Sequence, residues 1–308
     1  MAERRDTLDA LRAVPPDRPV LIAGPTASGK SALALALAER QGRRIVNADA
    51  LQVHADWRLL TARPDASEAA RAPHDLYGHV AWGSAYAVGD WLRDVAAIAA
   101  TGASVVVVGG TGLYFRALTE GLAAIPPVPA AVREEARARL DEIGLDRLAT
   151  DLSPEARADM DLMNPIRVLR AWEVERATGR SIRAWQAETP APLVPLARTL
   201  PILLDAPPDW LNPRIDMRFD RMLEDGSLDE VRRVLPRWDA DAPAARAIGA
   251  PQLIAHLRGE MPLAEARALS IIATRRYAKR QRTWFRARMA TWRRIAAESV
   301  ASAFDKGG

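Results

Sequence analysis

Gly24-Pro25-Thr26-Ala27-Ser28-Gly29-Lys30-Ser31 decides the fold of this chain, because its spacing fixes a backbone geometry and a ligand class together. Four residues separate Gly24 from Gly29, and Lys30-Ser31 follow at once, which is the full spacing of a phosphate-cradling loop. Upstream, Pro19-Val20-Leu21-Ile22-Ala23 has the length and apolarity of a buried strand. Downstream, the run from Ser31 to Glu39 is made of alanine and leucine, strong helix formers. The stretch therefore predicts strand, loop and helix in succession. Its glycines let successive backbone N–H groups approach phosphate oxygens, and the helix N-terminus adds its positive dipole end. Lys30 supplies a point charge, and the Ser31 hydroxyl is a ligand for Mg2+. Only three of the 43 basic residues are lysine, so Lys30 stands against the chain's own preference for arginine, whose planar guanidinium is too wide for such a loop.

The bulk composition narrows the class. A chain of 308 residues has room for two domains, or for one with a large insertion. No cysteine is present, which excludes disulfides, thiolate catalysis and cysteine zinc sites. Residues 1–18 include Arg4, Arg5, Asp6, Asp9 and Arg12 and hold no apolar core of a secretory signal. No apolar run is long enough to span a membrane, so a cytoplasmic protein without membrane contact is expected. The net charge of +4 is unevenly spread: from Arg275 to Arg294 there are nine basic residues and no acidic one, which points to a polyanionic partner.

Other stretches extend the pattern. Arg43 to Asp49 reads as a second strand finishing at an acid, and ligands of open parallel sheets lie beyond the carboxyl ends of strands. Asp49 is then a site residue, or else a loop acid capping a following helix. Gln52 is a candidate for hydrogen bonding a base edge. The polar stretch that Pro73-His74-Asp75-Leu76 follows reads as loop, and His74 and His79 lack metal-ligand spacing. Ser104 to Val108 is a fully buried strand that runs into Gly109-Gly110-Thr111-Gly112, either a close approach to a ligand or only a tight connection.

Between 125 and 193 the pattern is helical without an intervening strand, which predicts an inserted all-helical subdomain carrying Arg133, Arg167 and Arg170. Strand character returns at Leu200 to Asp205, whose acid resembles the metal-holding acid of nucleotide hydrolases. A helix beginning at Pro213 puts Arg214 and Arg218 on one face, to close over a diphosphate or to pair with Asp216, Asp220 or Glu224. The segment Ala273 to Arg286 predicts a helix with an aromatic core side (Tyr277, Trp284, Phe285) and a cationic side. The expected fold is α/β: a P-loop NTPase-like parallel sheet core over 19–124 and 194–299 flanked by helices. An N-terminal extension (1–18), the helical insertion (125–193) and a flexible tail (300–308) complete it.

Taken together, GPTASGKS (24–31), NADALQV (47–53), TARP (61–64), GGTGLY (109–114), NPIRVLRAWEV (164–174), RIDMRF (214–219), AIG (247–249) and TRRYAKRQRTWFR (274–286) resemble the tRNA dimethylallyltransferase family. The resemblance implies transfer of a dimethylallyl group from dimethylallyl diphosphate to N6 of the adenosine 3′ of the anticodon, in tRNAs reading codons that begin with U. It implies Asp49 as general base, with Lys30, Arg218 and Thr111 as further catalytic residues. Diphosphate would be held by Gly24, Pro25, Thr26, Ala27, Ser28, Gly29, Lys30, Ser31 and Arg218, with Mg2+ as cofactor at Ser31. The tRNA anticodon stem-loop would meet Asp49, Ala50, Leu51, Gln52, Thr111, Arg133, Ile166, Arg167, Arg170, Arg246, Gly249, Gln252, Arg275, Lys279 and Arg280, on a monomer. The chain departs from the family pattern at Ala50 (generally Ser), His54 (Tyr), Leu60 (Gly), Arg63 (Lys) and Ala250 (Tyr). Two other readings compete. A P-loop small-molecule or nucleotide kinase binding ATP would use the loop and Asp205 but leaves Asp49, Gln52 and the basic segment unexplained. An RNA-binding protein without activity would not need Lys30 and Ser31 intact.

Overall fold

Short, mostly apolar runs make the central strands. In this computed structural model, which describes residues 14–158 and 160–304, six parallel strands form one sheet. They are β1 (Val20–Ala23), β2 (Arg44–Asn47), β3 (His74–Asp75), β4 (Val105–Gly109), β5 (Leu200–Asp205) and β6 (Arg293–Ala296). The spatial order is β3-β2-β4-β1-β5-β6. Val20 to Ala23 pair with Val106 to Gly109 on one side and with Leu200 to Leu203 on the other.

Two-residue alternation sorts each strand's side chains between two cores. Val20, Ile22, Ile45, Val106 and Val108 pack with Leu33, Ala34 and Leu37 of the Lys30–Gln41 helix. Leu21, Ala23, Val46 and Val107 pack on the other face with Trp91, Tyr114, Phe115 and Phe285. Burial on both faces explains the absence of polar alternation in these strands. The order also sets the site. The carboxyl ends of β2, β4 and β1 are adjacent, so residues 48–49, 110–111 and 24–29 come together at one end of the sheet.

The chain divides into two compact units, one of residues 1–119 and 194–308 and one of Glu120–Leu193. The second is all helical: Ala130–Thr150 with a break at Gly144, Pro154–Arg157, Pro165–Thr178 and Ile182–Ala187. Its own core joins Ala136, Leu148, Ala156, Val168, Ala171 and Trp172. Ser153, Asn164 and Ser181 cap its last three helices by accepting a backbone N–H three residues on.

Several expectations change. The polar stretch expected as loop holds a short helix, Ala66–Arg71, capped by Asp65, and His74–Asp75 after it pairs in parallel with β2 as an edge strand. The basic segment is split, Arg275 to Arg288 lying on the Leu263–Arg288 helix and Arg293 and Arg294 on β6. The helix bearing Arg214 and Arg218 begins at Pro208, its first turn tolerating a proline, and runs through Pro213 to Glu224. Residues 14–18 are anchored, because the buried Arg43 guanidinium donates to the carbonyls of Val14, Pro15 and Arg18; the expected extension over 1–13 lies outside the described residues. Of the expected tail over 300–308, residues 300–304 complete the Ala297–Phe304 helix, with Val300 buried, and 305–308 lie outside the described residues.

Candidate active site

The phosphate loop is shaped by two left-handed residues. Ala27 has φ 62 and Gly29, at the N-terminus of the Lys30–Gln41 helix, has φ 84. Such turns gather successive N–H groups into an anion-binding nest. A side chain at Gly24 would reach within 2.8 Å of the Ser28 Oγ, so only glycine fits there. Lys30 is buried and its Nζ donates to the Pro25 carbonyl at 3.3 Å. Burial pushes its ammonium down to about 8, with Arg218 adding to the shift and Asp49 opposing it. Arg218 donates to the Thr26 Oγ1 at 3.2 Å, and Arg214 donates to the Ala27 carbonyl at 3.3 Å while lying over the Trp210 ring. Two of the expected alternative partners are occupied, Asp220 accepting from Arg267 and Asp216 from Arg275, and Glu224 is exposed to solvent. Both arginines therefore turn to the loop. With Ser28, Gly29, Ser31, Arg63 and Arg221 they line a groove of about 690 Å3, within the range of small-ligand sites.

Asp49 follows β2 and is buried. Its backbone N–H donates to the Asn47 Oδ1 (2.9 Å), and its Oδ1 accepts from the Leu51 N–H (3.0 Å). No helix starts here, so Asp49 is not a helix cap. Thr111 docks the neighbouring strand end onto this turn: its N–H donates to the Ala48 carbonyl and its Oγ1 accepts from the Ala50 N–H. A Cβ at Gly110 would lie 2.2 Å from the Gln281 Nε2 and 3.1 Å from the Asp49 Oδ2, so any side chain there would displace the Gln281 amide. Gln52 donates from Nε2 to the carbonyls of Thr61 and Ala62, both at 2.9 Å, so its oxygen is what remains for a ligand. Asp49, Gln52, Leu60, Phe219, Ile248 and Tyr277 line a recess that also reaches Thr26, Lys30 and Arg218. One cavity system thus has a cationic end and an apolar end with a carboxylate in its wall.

Gln281 ties the two ends together. Its Oε1 accepts from the Thr26 N–H and its Nε2 donates to the Gly110 carbonyl, both at 2.9 Å. Tyr277, expected on the aromatic core side, instead lines the recess. Burial, reinforced by Asp49, pushes its hydroxyl upward. The basic interleaving hid both residues, because a glutamine or tyrosine on a cationic helix carries no local mark of what it faces.

The remaining expected residues are placed as follows. Gly249, at φ 95, opens the Ala250–Leu257 helix, and a Cβ there would meet Phe219 and Leu60. The Gln252 Oε1 is buried without a protein partner, and Arg246, Lys279 and Arg280 are exposed, Arg280 over the Tyr277 ring. Arg275 pairs with Asp216 and its side chain stays 41% exposed. Within the helical unit, Arg133 donates to the Val128 carbonyl and Arg170 pairs with Glu173, while Arg167 and Ile166 are exposed, Ile166 to 78%. Asp205 is a correction: its carboxylate pairs with Arg294 and lines neither cavity, which removes the acid that the kinase reading needs.

The comparisons with known proteins agree with this geometry. The family described as IPP transferase matches residues 52–288, and isopentenyl transferase matches residues 18–73. The chain is 60% identical over 288 residues to the tRNA dimethylallyltransferase of Cereibacter sphaeroides, covering 94% of this chain and 92% of that one. It is 61% identical over 279 residues to that of Dinoroseobacter shibae, covering 90% and 94%. The solved full-length tRNA isopentenylpyrophosphate transferase from Bacillus halodurans is similar at a TM-score of 0.64 and 30% identity, over 91% of this chain and 90% of that one. A strand-end carboxylate beside a phosphate loop, the paired arginines and these matches lead to one conclusion: the chain belongs to the IPP transferase family.

Proposed function

We propose that this protein transfers the dimethylallyl group of dimethylallyl diphosphate to N6 of the adenosine 3′ of the anticodon, in tRNAs reading codons that begin with U, and releases diphosphate. The observation that carries the proposal is the buried Asp49 carboxylate sharing one recess with Lys30 and Arg218. The exocyclic amine is conjugated with its ring and is a weak nucleophile, so a base that takes its proton as the bond forms lowers the barrier. The N6–carbon bond forms, the carbon–oxygen bond breaks, the proton goes to Asp49, and the electron pair goes to diphosphate. Charge growing on that leaving group is met by the loop amides of Ala27, Gly29, Lys30 and Ser31, which no acceptor outside the helix takes up among the described residues, and by the Lys30 and Arg218 side chains. The Gln52 oxygen accepts from the second N6 hydrogen, which requires the base to leave its stack.

The donors suit Mg2+ only when diphosphate is bound. Ser31 is exposed in the groove, and among the described residues no three His, Asp or Glu side chains form a metal cluster. A Mg2+ ion held by the Ser31 hydroxyl would take its other oxygens from diphosphate and water, and would neutralise leaving-group charge. Arg246, Lys279 and Arg280 on one unit, and Arg133, Ile166, Arg167 and Arg170 on the other, bind the anticodon stem-loop, and the protein works as a cytoplasmic monomer. No helix among the described residues is long and apolar enough to cross a membrane. The test is incubation of purified protein with Mg2+, dimethylallyl diphosphate and unmodified tRNA without ATP, followed by nucleoside mass spectrometry. N6-dimethylallyladenosine is expected; phosphate transfer from ATP to a small acceptor, with no prenylated tRNA, overturns the proposal.

A further inference from the structure

Glu230 is a buried carboxylate, 5% exposed, on the Ser227–Val234 helix, far in sequence from Gln52 and Leu60. It accepts three consecutive backbone N–H groups: those of Arg58 (2.7 Å) and Leu59 (3.0 Å) at Oε1, and that of Leu60 (2.9 Å) at Oε2. Three amides converging on one buried anion form an uncommonly strong anchor, because charged acceptors roughly double the strength of such bonds. The anchored turn closes on itself, Ala62 donating to the Leu59 carbonyl, Arg63 to the Arg58 carbonyl, and the Thr61 hydroxyl to the Trp57 carbonyl. Its next two carbonyls, those of Thr61 and Ala62, are the ones that hold the Gln52 amide. Leu60, fixed by the same carboxylate, forms part of the recess wall.

We propose that Glu230 is a positioning residue for the acceptor base: by anchoring residues 58–60 it sets the two carbonyls that orient Gln52, leaving the Gln52 oxygen to receive the adenine amine. The inference rests on the function proposed above. Glu230 touches neither substrate nor the phosphate loop, so its influence runs through Gln52 and not through diphosphate.

Glu230→Gln keeps the size of the side chain but turns one acceptor into a donor facing the Leu60 N–H. Transfer is measured for wild type, Glu230→Gln, Gln52→Ala and the double variant, varying tRNA and donor separately, with melting temperatures alongside. The expected result is a KM for tRNA raised about tenfold by Glu230→Gln, an unchanged KM for dimethylallyl diphosphate, and no further loss when Glu230→Gln is added to Gln52→Ala. The same tenfold loss in both backgrounds makes the two residues independent and overturns the inference. So does a parallel rise in both KM values, or a Glu230→Gln protein that fails to fold. Wild-type protein that transfers no prenyl group overturns the functional reading itself, and the inference with it.

Discussion

Replacing Lys30 by Met should make the protein more stable while destroying its anion site. Burial lowers Lys30 from 10.5 to about 8, so at pH 7 the folded protein holds a charge that its surroundings disfavour. At about 1.4 kcal/mol per pH unit, this corresponds to about 3 kcal/mol of lost stability. Methionine keeps an unbranched chain of similar length without the charge, and forfeits the hydrogen bond from Nζ to the Pro25 carbonyl, worth about 1 kcal/mol. The net gain is about 2 kcal/mol at pH 7, or a rise in Tm of about 4 °C for a chain of this size. Between about pH 8 and 10.5 the unfolded chain keeps the lysine proton that the folded protein releases, so wild-type stability climbs with pH there. The advantage of Lys30→Met should therefore shrink between pH 7 and pH 9.5. Thermal melts at the two pH values, with and without inorganic diphosphate, provide the measurement. Diphosphate should raise the wild-type Tm and leave that of the variant unchanged. A variant less stable than wild type at pH 7, or a gap independent of pH, would refute the reasoning.

Three further outcomes follow from the same geometry. Asp49→Asn should slow single-turnover transfer by about 10²- to 10⁴-fold with tRNA affinity retained, and lost binding at an unchanged rate would make Asp49 structural. Gly110→Ala places a methyl 2.2 Å from the Gln281 Nε2, so it should lower stability by about 1–3 kcal/mol and reduce transfer; an unaltered melt would count against the bridge. Joint replacement of Lys279 and Arg280 by Ala should lower the slope of log affinity for tRNA against log salt by about 1.4 and leave diphosphate affinity alone, and an unchanged slope would remove this face from the RNA contact.

What local chemistry specifies was legible in the chain alone. The loop from Gly24 to Ser31 depends on φ angles and spacing within eight residues, and its flanking strand and helix on runs of one hydrophobic character, so strand, loop and helix all followed from the order of residues. Asp49 was visible for the same reason, as an acid at the end of an apolar run. The short edge strands β3 and β6 were not, because two residues, or four that include Arg293 and Arg294, carry no periodic signal and exist through their neighbours. Side-chain direction was decided only by the tertiary structure. Arg275 and Lys279 belong to one basic helix, yet Arg275 meets Asp216 and Lys279 faces solvent, since which residue lies across from each depends on packing between elements far apart in sequence. Gln281 reaches Thr26 across 255 residues, and Glu230 reaches Leu60 across 170. Their partners are set by strand order and helix packing, which no local pattern encodes.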